Sequence, residues 1–153
     1  MKNHAMCLLV ASVVLMGSAF AQEKKIKRSE LPAAVEKTVA EQSKGATIRG
    51  FSEEKEKGQT TYEVAMTVNG HTKDVQVDAG GTVIEVEEQV DLQALSAEVK
   101  AGLAAKAGKG KITKVESITK KNKLVAYEAH VVTDGKKSEI QVGPDGKALD
   151  HEE

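Results

Sequence analysis

Two stretches of the chain place an apolar residue at every fourth position, and each is followed by runs that alternate apolar and polar. The first stretch is Leu31, Val35 and Val39, with Ala34 and Ala40 beside them. The second is Leu95, Val99 and Leu103, with Ala104 and Ala107. A spacing of i, i+4, i+8 puts each trio along one stripe of a helix. Ser29 is the expected N-cap of the first helix, with Pro32 tolerated in its first turn; Ser96 or Asp91 caps the second. Gly45 ends the first helix, and Gly108 and Gly110 end the second.

Past each helix lies a short apolar pair, Ile48 and Phe51 or Ile112 and Val115, and then a charged stretch. Ser52–Gly58 and Thr119–Lys123 read as turns. Alternation begins after them. Tyr62, Val64, Met66 and Val68 point one way, and Thr61, Glu63, Ala65 and Thr67 the other. In the second copy Val125, Tyr127, Ala129 and Val131 face inward, while Ala126, Glu128 and His130 face outward. A period of two with one polar face predicts half-buried antiparallel strands. Asn69-Gly70 and Asp134-Gly135 predict type I′ hairpins, since both residues of each pair tolerate positive φ. The returning strands carry Val75-Gln76-Val77 and Ile140-Gln141-Val142. A second turn then leads to last strands over 82–86 and 147–151.

These matches make the chain a duplication, registered from Leu31/Leu95 to Glu88/Glu153, with one residue gained in the second copy's charged turn. The expected organisation is a signal peptide over 1–21, a basic leader over 22–29 and two repeats over 30–90 and 91–153. The fold class is α+β: each repeat has an N-terminal helix followed by three or four antiparallel strands, with both helices packed on one face of the sheet. A unit of about 60 residues buries only about 60% of its unfolded surface and is marginal alone. The two halves are therefore expected to complete one core.

The first 21 residues follow another pattern. Lys2 precedes an uncharged run from Ala5 to Met16, and Ala19-Phe20-Ala21 closes it, which predicts export with cleavage after Ala21 to the periplasm or exterior. The run is shorter than the roughly 20 apolar residues that span a bilayer, so no membrane attachment is expected after cleavage. Cleavage removes Cys7, the single cysteine, and with it any disulfide or thiolate ligand. It also removes Lys2 from the 22 basic side chains, leaving 21 against 23 acidic ones with the signs interspersed. Such a balance offers no electrostatic footprint for nucleic acid. The run Lys24-Lys25-Ile26-Lys27-Arg28 is short and reads as a solvated leader.

Candidate chemistry changes this picture little. No G-x-S-x-G occurs, and the glycines at 80–81 and 108–110 lack phosphate-loop spacing. His71 reads as a loop residue, His130 as a strand-surface residue beside Glu128, and Asp150-His151-Glu152-Glu153 as consecutive groups ill-placed to close around a metal. No catalytic residue, metal ligand or cofactor is expected.

Tyr62-Glu63-Val64, Asn69-Gly70, Val75-Gln76-Val77-Asp78 and Pro144-Asp145-Gly146-Lys147, each repeat led by an amphipathic helix, resemble the PepSY and PepSY-like domains. The tandem arrangement is similar to the β-lactamase-inhibitory-protein type of fold. The resemblance implies a secreted or periplasmic binding module, in some members inhibiting a peptidase. Here Ala79-Gly80-Gly81 replaces the usual x-Asp-Gly turn of the first copy. The expected function is non-catalytic binding of a protein or peptide of the cell envelope through the outward sheet face. Thr61, Glu63, Thr67, Gln76, Glu128, His130, Glu139 and Gln141 would line that face. The alternatives are an inhibitor of a peptidase or β-lactamase-type hydrolase and a small metal-binding envelope protein.

Overall fold

A computed structural model describes residues 22–56 and 58–153. The expected signal peptide and its cleavage site lie outside the described residues. One antiparallel sheet of eight strands runs in sequence order, β1 (Gln22–Ile26), β2 (Thr47–Glu56), β3 (Gln59–Val68), β4 (His71–Asp78), β5 (Val83–Gln89), β6 (Lys111–Lys120), β7 (Lys123–Thr133) and β8 (Lys136–Val142). Helix α1 (Ala33–Gln42) enters between β1 and β2, and α2 (Ala97–Ala107) between β5 and β6. The fold is α+β with two helix-then-strand units, as the periodicity predicts.

Val35 and Val39 of α1 are buried, as are Val99 and Leu103 of α2, so each stripe faces the sheet. Ser96 caps α2 by accepting from the Val99 N–H at 3.2 Å, while Asp91 caps the 3-10 turn before it. Ser29 is not the cap of α1: it lies in a 3-10 turn over Arg28–Glu30. The ring of Pro32 disfavours a helical residue before it, Leu31 stays extended, and the helix starts at Ala33. Both predicted hairpins have positive φ at both central residues, Asn69-Gly70 and Asp134-Gly135.

The charged stretches are not turns. Ser52–Glu56 continues β2, and Thr119–Lys120 continues β6 into a tight turn at Lys121-Asn122, both at positive φ. Alternating charges mark half-buried strands here, a pattern that composition does not separate from a loop. The residue gained in the second copy sits in β7: Ile118 pairs with Ala126 and Thr119 with Leu124, which bulges Val125 out of the ladder.

Pairing also redraws the repeat. Lys25 opposes Ser52 and Ile26 opposes Phe51, just as Gln89 opposes Glu116 and Val90 bonds Val115. Hence β1 stands to β2 as β5 stands to β6. The basic run is thus partly sheet, with Ile26 against the first core. Residues 147–151 form no strand, although the turn before them is intact, with the Gly143 N–H bonding the Lys147 carbonyl as Asp78 bonds Thr82. β5 is held by neighbours on both sides, whereas 147–151 would have one, and it carries Ala148 and His151 where β5 has Val83 and Val86.

Buried side chains form two clusters rather than one core. Val35, Val39, Tyr62, Val64, Met66, Val75 and Val77 make the first; Val99, Leu103, Val115, Ala129, Val131 and Val142 make the second. The unbroken ladder through β5 and β6 joins them.

Candidate functional site

Because both helices cover one face, the alternate residues of every strand form the other. Thr61, Glu63 and Thr67 alternate with the buried side chains of β3, and Gln76 sits between Val75 and Val77 of β4. Glu128 and His130 alternate with Tyr127, Ala129 and Val131 of β7, and Glu139 and Gln141 flank Ile140 on β8. All eight expected contact residues therefore share the open face, in two groups. Glu63 opposes Gln76 in the first unit. In the second, Glu128 opposes Gln141 and His130 opposes Glu139.

Sequence reasoning missed what lies between and beside these groups. Glu54, Asp74, Glu85, Glu87 and Glu116 belong to the same face, and a cavity of about 220 Å³ is lined by Glu54, Glu63, Asp74, Gln76, Glu85 and Glu87. The signal was available for most of them: Asp74 and Gln76 flank buried Val75, and Glu85 and Glu87 flank Val86. Glu54 lies in a stretch whose run of charges predicts a turn, so the alternation there is not legible. Ile118 and Ala126, paired on this face, are buried and interrupt the polar surface.

Crowded carboxylates on a half-buried surface cannot all ionise freely. Burial, reinforced by Asp74, Glu54 and Glu23, pushes the Glu63 carboxyl up to about 7, with Arg49 opposing. Burial also pushes Glu87 up to about 8, helped by a hydrogen bond and repulsion from Glu85. Burial raises Asp74 although the Arg49 guanidinium reaches its Oδ1 at 2.7 Å. Glu128 is raised by burial too, while Gln141 Nε2 donates to it at 2.9 Å and works the other way.

Glu116 behaves differently. It is 2% exposed, and burial works to raise it. Lys114 Nζ at 2.8 Å, His130 Nε2 at 2.8 Å and the Thr72 hydroxyl at 3.1 Å outweigh that cost and hold it below the ordinary carboxylate range. His130 is a junction: its Nε2 lies 3.6 Å from Glu128 and its Nδ1 3.4 Å from Glu139. Glu116, Glu128 and His130 bring ligand-type atoms within 4.8 Å of one another, as do Asp74, Glu87 and Glu116. In both groups the Glu116 oxygens already engage Lys114, His130 and Thr72.

Lys120 lies 3.4 Å from Glu85 and 3.4 Å from Glu153, whose N–H donates to Gln141 Oε1 at 2.8 Å. No helix among the described residues is long and apolar enough to cross a membrane.

No family model matches the chain, and no curated protein matches it. Solved structures do. A protein from Bacteroides eggerthii, provisionally assigned to the periplasm, superposes with a TM-score of 0.63 at 18% identity over 78% of this chain and 86% of its own. A DUF2874 family protein from Bacteroides ovatus gives 0.59 at 20% identity, covering 78% and 84%. A BLIP-like protein from Bacteroides fragilis gives 0.56 at 19% identity, covering 78% and 83%. At such identities the common property is the fold, and it lies with BLIP-like and DUF2874 proteins rather than with PepSY domains by name.

Proposed function

We propose that the chain is a non-catalytic, PepSY-like binding module of the cell envelope that contacts a protein or peptide through the open face. One observation carries the reading: the strands gather Glu54, Glu63, Asp74, Glu85 and Glu87 around one cavity on the face opposite the helices, where carboxylates outnumber the cations paired with them. Burial and neighbouring carboxylates hold protons on Glu63 and Glu87 near neutrality, and a cationic partner would offset that repulsion. The signal-type leader and the periplasmic assignment of the B. eggerthii protein support the compartment. The ring nitrogens of His130 face carboxylates, which supports a structural role for it over a catalytic one.

The test is affinity capture from envelope extract with the mature chain and with Glu63→Lys and Glu128→Lys variants. A specific partner lost on charge reversal is the expected result. Capture that ignores both reversals would overturn the reading.

The fold of the BLIP-like protein favours a second reading, inhibition of a hydrolase. Tight interfaces are commonly anchored by Trp, Tyr and Arg. Tyr62 is buried in the first core and Tyr127 packs against the second, so neither tyrosine serves the open face. Assays against a panel of peptidases and β-lactamases separate the readings, since absence of inhibition throughout removes the second and leaves the first.

A further inference from the structure

We infer that the outer edge of β8 is a strand-addition site for an extended peptide with apolar residues toward the helices and lysine or arginine toward the open face. The inference concerns the sheet edge and does not depend on the open-face reading.

Its template is inside the molecule. β5 adds to β4 with Val86 opposite Val75, Glu87 opposite Asp74 and Glu85 opposite Gln76. Val83 and Val86 then pack against the first core, and Val75 is fully buried. The equivalents on β8 are Ile140, Glu139 and Gln141, each 65 positions on. Among the described residues no strand lies beyond β8 and none past Val142 packs into the second core. Ile140 is accordingly only half-buried where Val75 is sealed. The second copy of an established intramolecular interface is thus unfilled at Glu139 and Ile140, while Gln141 and Val142 beside them are already buried.

The chain's own segment 147–153 enters through the same turn and does not fill the place. Its residue equivalent to Val86 is His151, and Asp150 and Glu152, equivalent to Glu85 and Glu87, would add acid to an acidic face. Two contacts stand in instead: Lys106 Nζ donates to the Gln141 carbonyl at 2.9 Å, and the Glu153 N–H donates to the Gln141 side chain. Charge complementarity selects the partner. A strand in the β5 register sets one outward side chain over Glu139 and another beside Gln141, which is bonded to Glu128. Cations at both positions meet carboxylates, while an apolar residue between them covers Ile140. Main-chain bonding would supply affinity and these alternate side chains selectivity. Lys136 and Lys137, on the same strand, discourage pairing with a second β8.

The probe is a labelled peptide of residues 82–90 with Glu85→Lys and Glu87→Lys, titrated into the mature chain by anisotropy and followed by amide NMR. It should bind about tenfold tighter than the unaltered 82–90 peptide, a difference of about 1.4 kcal/mol. The largest shifts should fall on β8. Methylating alternate peptide nitrogens should abolish binding without touching the protein. Glu139→Lys should remove the preference for lysine. Equal binding of the methylated peptide, shifts centred on β1 or on the helices, or no saturable binding of either peptide would overturn the inference.

Discussion

Gly81 lies against the first turn of α1, where a Cβ built on it would stand 2.7 Å from the Ala34 carbonyl oxygen. Gly146 meets the Glu98 carbonyl more closely still in the second unit. Both glycines have positive φ, +87° and +78°. In the first unit the Gly81 carbonyl also accepts from the Thr38 hydroxyl at 2.6 Å. In the second, the equivalent helix position is Gly102, where a Cβ would strike the Gly146 carbonyl. These turns fasten each helix to its sheet.

Gly146→Ala should therefore cost about 3 kcal/mol, combining left-handed backbone strain with a collision against backbone that cannot step aside. Gly135→Ala, at φ +78° with no atom within 4 Å of its Cβ, isolates the strain and should cost about 1 kcal/mol. Urea denaturation measures both. Equal losses would show that the helix contact contributes nothing.

Stability should fall as pH rises through neutrality. Glu63 and Glu87 bind protons more tightly in the folded chain, at about 7 and about 8, than at their ordinary value of 4.5. Their contribution is complete below the ordinary value and is lost as pH climbs through the folded values. Glu87→Gln should flatten the dependence of Tm on pH between the carboxyl's ordinary value of 4.5 and its folded value of about 8, and stabilise the alkaline end by about 1 kcal/mol after allowance for solvent screening. An unchanged slope would contradict the assignment.

Glu116 should act with the opposite sign. Its folded value is lowered, so its contribution is present above the ordinary carboxylate range and disappears as pH falls through the folded value. Glu116→Ala should cost about 3 kcal/mol near neutrality, since it strands Lys114 and His130 beside an emptied, buried position. Thermal melts across the acid range would record the loss of the wild-type dependence.

Leu103 and Met66 are fully buried, one in each cluster. Leu103→Ala and Met66→Ala should each cost about 2–5 kcal/mol. If the sheet unites the clusters, circular dichroism and tyrosine fluorescence should report the same midpoint in both variants. Separate midpoints would show that the units unfold independently.

The sequence by itself determined whatever depends on neighbours along the chain. Helical stripes at Val35/Val39 and Val99/Leu103, type I′ turns at Asn69-Gly70 and Asp134-Gly135, and the alternation placing Glu63 and Glu128 opposite the core are local properties of backbone geometry. Tertiary structure decided what depends on distant partners. β1 has one apolar residue among its Glu and Lys, and is a strand because β2 offers a free edge. Segment 147–153 resembles β5 in sequence and is not a strand, because it has at most one neighbour and lacks the valine that faces the core. Register likewise gathers Asp74, Glu85, Glu87 and Glu116 from β4, β5 and β6, and burial, reinforced by neighbouring carboxylates, is what holds the Glu63 and Glu87 protons. Each of those carboxylates is ordinary in sequence; desolvation and mutual repulsion, which exist only once the strands pair, make them a candidate site.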